Sequence, residues 1–207
     1  MGTNFYLRVI PTQERKDALK KAINNNAYAE INALTQRMYG ELDNSWIDDN
    51  PQFGYLHLGK RSGGWRFLWN PHLYRRAKID DEGKFFGYEY YTLFDLSVKG
   101  ITKYLKSFDN AYITSEYGLY QPELDVDEGM MSVDEFMYIA LNWDKEYTFE
   151  NQYDRMDEIE KNTNRRYSSL PVEAFNMLED KYKKVRQGYA GDFWIGNLRF
   201  ANTNEFS

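Results

Sequence analysis

The chain has 207 residues, a formal net charge of −6 and no cysteine, with 42% hydrophobic and 17% aromatic side chains. That length supports a proper core, and the missing cysteines exclude disulfides and thiolate chemistry. No apolar run approaches the roughly 18 to 20 residues a bilayer span needs, and the first ten residues lack the pattern of a signal peptide, so no membrane association and a cytoplasmic location are expected.

In chain order, Phe5 to Ile10 predicts an opening strand that Pro11 ends. Thr12 can cap the helix that follows; Ala18, Leu19, Ala22 and Ile23, then Tyr28, Ile31, Leu34 and Met38, recur at helical spacing, with Asn24-Asn25-Asn26 weakening the join and Gly40 suited to a stop. Around a Ser62-Gly63-Gly64 turn, Tyr55 to Gly59 and Trp65 to Trp69 alternate as in a β-hairpin. That alternation puts Trp65, Phe67 and Trp69 on one face and Arg66 on the other. Leu73 to Ile79 and Lys84 to Tyr91 predict a second hairpin about Asp81-Glu82-Gly83, and the two hairpins can share one antiparallel sheet.

Thr92 with Asp95 predicts a capped helix whose stripe is Leu93, Leu96, Ile101, Tyr104, Leu105 and Phe108. Ser132 with Glu135 forms a better capping box ahead of Val133, Phe136, Met137 and Ala140. Pro171 opens the last helix, carrying Val172, Phe175, Leu178, Tyr182 and Val185 and stopped at Gly188, and Phe193 to Ala201 reads as a closing strand. The order implies an α+β fold: an antiparallel sheet built from hairpins, packed with several amphipathic helices, in a single domain over 1–207 with the acidic 109–165 region as a candidate helical sub-lobe.

Charge is lopsided along the chain. Six cations (Lys60, Arg61, Arg66, Arg75, Arg76, Lys78) and no acid fall between Pro51 and Ile79, whereas 15 acids and two bases lie between Asp109 and Glu160. Opposed poles can attract separate partners or each other. Around the first turn, His57, Lys60, Arg61, Ser62, Gly63, Gly64 and Arg66, with Arg75 and Arg76 beyond, form a candidate ligand or phosphate site, since small residues let backbone N–H groups approach an anion. The order is not that of a Walker loop, and a solvated basic hairpin tip explains the same residues. Aromatics interleaved with these cations could stack bases, although the period-two pattern sends the rings to the core instead.

His57 and His72, the two histidines, are candidates for metal ligands or an acid/base pair. Without cysteine or a close carboxylate a zinc site is incomplete, and the simpler reading is two structural imidazoles. Asp125-Val126-Asp127-Glu128-Gly129 approaches a calcium loop but has Gly at the fifth position and Phe136 at the twelfth. No metal, cofactor or catalytic residue is therefore expected, and no reaction is assigned. In the acidic segment, Tyr117, Tyr120, Glu123, Asp125, Asp127 and Glu128 combine aromatic anchors with charge, as a protein-binding surface requires.

Met1-Gly2-Thr3-Asn4-Phe5-Tyr6, together with Leu56-His57-Leu58-Gly59-Lys60-Arg61-Ser62-Gly63-Gly64-Trp65-Arg66-Phe67, resembles a group of small bacteriophage proteins that begin M-G-T-N-[FY]-Y and contain H-[IL]-G-K-S-[SA]-G-W-x-F. The match covers about 18 of 207 residues. Members place a Cys-x-x-Cys pair before the second element and a histidine just after it; here Asn70 stands at that place, with His72 two residues on. The resemblance implies a phage-encoded accessory protein working in the host bacterial cytoplasm, and no particular activity.

Two readings follow. One is a non-catalytic accessory protein that binds and modulates or inhibits a bacterial host protein or nucleoprotein complex, with a nucleic-acid-handling antiviral defence system as a candidate. The other is a module that binds a nucleotide, another phosphate ligand or single-stranded nucleic acid through the basic aromatic hairpin 55–78.

Overall fold

A computed structural model describes residues 2–39, 54–63, 65–116, 129–146, 170–188 and 192–202. Among them are nine strands and five helices, in an α+β arrangement dominated by antiparallel pairing. The chain divides into two compact units: Met1–Gly2, Gly59–Ile101 and Tyr138–Ser207 make the first, Thr3–Leu58 and Thr102–Met137 the second.

In the second unit, β1 (Thr3–Val9) is central between β2 (Tyr55–Ser62), of which residues 55–58 belong here, and β6 (Ala111–Ser115). β1 pairs antiparallel with β6, Leu7 opposite Ile113 and Arg8 opposite Tyr112. Alternation then divides the sheet. Phe5, Leu7, Leu56, Leu58 and Ile113 are buried on one side, where Phe5 meets Phe136 at 5.6 Å between ring centroids. Helix α1 (Gln13–Asn24) follows Thr12, whose hydroxyl accepts from the Arg15 N–H at 3.4 Å, and it packs on α2 (Tyr28–Tyr39) across a break where Asn26 has φ 53°. The foreseen stop at Gly40 lies outside the described residues.

The first unit holds the order β2-β3-β9-β8-β7, with residues 59–62 of β2 followed by β3 (Trp65–Trp69), β9 (Leu198–Ala201), β8 (Asp192–Ile195) and β7 (Val185–Gln187). β3 and β9 run parallel; the other pairs whose register is defined are antiparallel. Phe67, Trp69, Phe193 and Phe200 are buried, and Arg66 lies half-buried on the opposite side of β3, as period-two alternation predicts. β4 (Leu73–Ile79) and β5 (Phe85–Thr92) pair only with each other, so the two hairpins do not share a sheet.

Three further element readings need correction. The helix foreseen from Thr92 starts at Val98: Thr92 ends β5, and Ser97 caps α3 (Val98–Leu105) by accepting from the Gly100 N–H at 3.0 Å. Of the expected stripe, Leu96, Ile101 and Leu105 are buried, Leu96 just ahead of the helix, while Leu93, Tyr104 and Phe108 are half-buried. The final helix, α5 (Val172–Lys181), stops before Tyr182, whose hydroxyl accepts from the Leu96 N–H at 2.7 Å; Val185 lies in β7 instead. Its buried residues include Ala174 and Leu178, while Val172 is exposed. The stretch read as one closing strand is a hairpin, turned at Gly196 with φ 58°. Helix α4 (Val133–Asn142) needs no correction, because Ser132 and Glu135 make the reciprocal capping bonds.

Candidate functional site

The residues foreseen as a phosphate site are distributed over three places. In the first unit, the β2–β3 hairpin is held by the turn that follows α4. Trp143 donates its indole N–H to the Ser62 carbonyl at 3.2 Å, the Trp65 N–H reaches Asp144 Oδ2 at 3.1 Å, and the Arg61 guanidinium lies 4.7 Å from the Trp143 ring centroid. Arg66 donates to the carbonyl of Leu141 at 3.3 Å, an acceptor that the end of α4 leaves open, and to that of Lys145 in the following turn at 2.5 Å. Burial pulls the Arg66 pKa down while Glu146 and Asp144 push it up. Lys60 is half-buried on β2, Gly63 is exposed at the turn, and Gly64 lies outside the described residues.

Arg66 also lines a cavity of about 440 Å³ with Phe67, Trp69, Leu96, Leu141 and Lys145. Lys60, Arg61, Arg75 and Arg76 do not line it.

Arg75 and Arg76 sit on the β4–β5 ribbon, on opposite faces. Arg76 pairs with Glu89, its cross-strand neighbour, and is spoken for. Arg75 stands 4.7 Å from the centroid of Tyr88 on a face that continues through Ala77 to Ile79. A register shift between Lys78 and Ile79 sets Phe85, not Phe86, opposite Ile79, so Phe85 meets Tyr88 edge-on at 5.1 Å. The result is exposed: Ile79 is 61% accessible, Phe85 52%, Phe86 62% and Tyr88 44%. Tyr74, 5% accessible and 5.8 Å from Tyr91, anchors the base of the ribbon, and α5 lies against β5.

His72 is buried in the first unit, its Nδ1 3.1 Å from the Tyr74 hydroxyl and its N–H donating to Asn70 Oδ1 at 3.1 Å. Its φ of 43° is uncommon for a non-glycine residue. His57 belongs to the second unit, where its ring stacks on Tyr6 at 4.9 Å. Among the described residues no three His, Asp or Glu side chains are grouped to hold a metal ion.

The His57–Tyr6 contact exposes a signal missed in the sequence. Asn4, Tyr6 and Arg8 alternate with Phe5 and Leu7, so the opening strand has a polar aromatic face as well as an apolar one. The foreseen partner-binding residues Tyr117, Tyr120, Glu123, Asp125, Asp127 and Glu128 lie outside the described residues.

No family model, curated protein or solved structure matches the chain. Among the described residues no helix is long and apolar enough to cross a membrane.

Proposed function

We propose that the protein is a non-catalytic accessory protein that binds and modulates a bacterial host macromolecular complex, using the β4–β5 ribbon as a protein-docking element. The observation that carries this reading is the exposed row Ile79, Phe85 and Tyr88, with Phe86 at the bulge. Large apolar side chains gathered on one exposed face mark interaction sites far better than single exposed ones do.

Charge decides the class of partner. Between Leu73 and Thr92 four cations (Arg75, Arg76, Lys78, Lys84) stand against four acids (Asp80, Asp81, Glu82, Glu89). A neutral ribbon offers little to a polyanion, and its aromatic anchors ringed by mixed charge suit a protein surface. The bacterial host, its cytoplasm and an antiviral defence complex as target are supported by the phage resemblance of Met1–Tyr6 and Leu56–Phe67.

The test is affinity capture from nuclease-treated bacterial lysate with the wild-type chain and with a Phe85→Ser/Phe86→Ser variant. The wild type should retain a stoichiometric protein partner that the variant loses while melting at nearly the same temperature. Equal capture by both chains would remove the ribbon from the interaction.

A further inference from the structure

The cavity beside Arg66 has a wall of two kinds. Its buried part is apolar: Phe67 and Trp69 of β3, Leu198 of β9, Leu96 ahead of α3 and Ala140 of α4 all line it. Its accessible part is polar, with Lys145 and Asn197 exposed and Ser97 half-buried at the start of α3. All of these residues belong to the first unit. At about 440 Å³ the space has the size of a small-molecule site, toward the lower end of the usual range.

Three features select the ligand. First, the wall is poor in acceptors: no Asp or Glu lines it, and the main-chain carbonyls of Leu141 and Lys145 already accept from Arg66. Second, its donors are open. The ammonium of Lys145 can only donate and pairs with no acid among the described residues, while Ser97 Oγ accepts from the Gly100 N–H at 3.0 Å and so has its own hydrogen to give. Ser97 and Val98 also begin α3, and the positive end of a helix dipole favours an anion. Asp95, close to that helix start, is not in the wall; it accepts from the Ser97 N–H at 2.9 Å and lies 3.9 Å from Lys181 Nζ. Third, the charge is small. Arg66 is engaged by carbonyls in the field of Asp144 and Glu146, which leaves one cation, Lys145, to answer a ligand. A single negative charge suits it better than a phosphate monoester, which carries nearly two. A bare anion leaves the apolar wall unused, and a cationic ligand meets no carboxylate there.

We infer that this cavity binds a small carboxylate with a compact apolar body, the body against Phe67, Trp69 and Leu96 and the carboxylate toward Lys145 and Ser97. Arg66 is a positioning residue here, since it occupies the carbonyls that would otherwise face the carboxylate with acceptors. The inference goes beyond partner docking and shares no residue with the β4–β5 ribbon, so either can fail without the other.

Calorimetric titration of the full chain with octanoate, octylamine and acetate tests both ends of the ligand. Octanoate should bind saturably. Octylamine, with the same chain on a cationic head, and acetate, with the same head and no chain, should each bind about tenfold or more weakly. Lys145→Glu reverses the charge at the accessible part of the wall and should weaken octanoate by about tenfold or more, a factor within reach of one charge-assisted hydrogen bond. Ala140→Phe fills the buried part and should weaken it as much. Lys145 is exposed, so its variant keeps the fold and decides the matter alone if Ala140→Phe does not fold. The proposal is overturned if octanoate does not saturate, if octylamine or acetate binds as tightly, or if Lys145→Glu or a folded Ala140→Phe chain binds octanoate as the wild type does.

Discussion

At the scale of single residues, Gly59 shows how a backbone position can be dictated by its neighbours. With φ at 149°, a Cβ there would stand 2.3 Å from the Leu68 carbonyl oxygen and 2.7 Å from the Phe67 ring. Backbone cannot yield as a flexible side-chain tip can. Gly59→Ala is therefore expected to cost more than about 1 kcal/mol, beyond the usual effect of losing glycine's freedom, seen as a lower urea midpoint. Arg66 is constrained differently, because it bonds the Leu141 carbonyl at the end of α4 and the Lys145 carbonyl in the turn after it. Charge-assisted bonds of this kind contribute about 2 kcal/mol, so Arg66→Gln should destabilise on that order, and a variant as stable as the wild type would contradict the assignment. Neither role is written in local spacing, since both depend on atoms brought from elsewhere in the chain.

At the scale of elements, the α4 capping box was legible because both partners lie within four residues. Ser132 Oγ and N–H both reach Glu135 Oε2, at 2.7 and 2.8 Å, and these bonds hold the Glu135 carboxyl below its ordinary range. A depressed carboxylate pKa stabilises the fold above the unfolded-state pKa and ceases to do so as pH falls through the folded value. Stability measured by urea midpoint should thus fall below about pH 5, near the ordinary glutamate pKa, and Glu135→Gln should flatten that part of the profile. The last helix was misread for the opposite reason. Val185 continues the heptad-like spacing of α5, but Tyr182 leaves the helix to bond the Leu96 N–H, a partner 86 positions away. The ribbon was placed correctly by its turn residues and strand alternation; its separation into a sheet of its own was not foreseen, because pairing partners are set by non-local contacts.

At the scale of the molecule, part of the cationic stretch meets acids within its own unit. Within the first unit Arg66 lies in the field of Asp144 and Glu146, Asp144 accepts from the Trp65 N–H, and Glu89 pairs with Arg76. Part of the +6 stretch is thus answered inside the fold, which weakens the case for a simple basic surface. A docking interaction through the neutral ribbon should accordingly persist at about 0.5 M salt, where exposed charges are screened beyond a few ångströms; capture that vanishes at that salt would point instead to electrostatic recognition.

What the amino-acid order determined by itself was whatever repeats locally. Alternation put Phe67 and Trp69 in the core and Arg66 across from them, three- and four-residue spacing placed α1, α2 and α4, and Asp81-Glu82-Gly83 turned the ribbon. Tertiary structure alone decided which faces meet: that Asn4, Tyr6 and Arg8 join Tyr55, His57 and Tyr112, that Arg61 and Arg66 are engaged by the turn after α4, and that Ile79, Phe85 and Tyr88 stay exposed. The reason is physical. Periodicity tells a side chain which side of its own element it lies on, but its partner across the space is chosen by packing and hydrogen bonding between segments far apart in the chain.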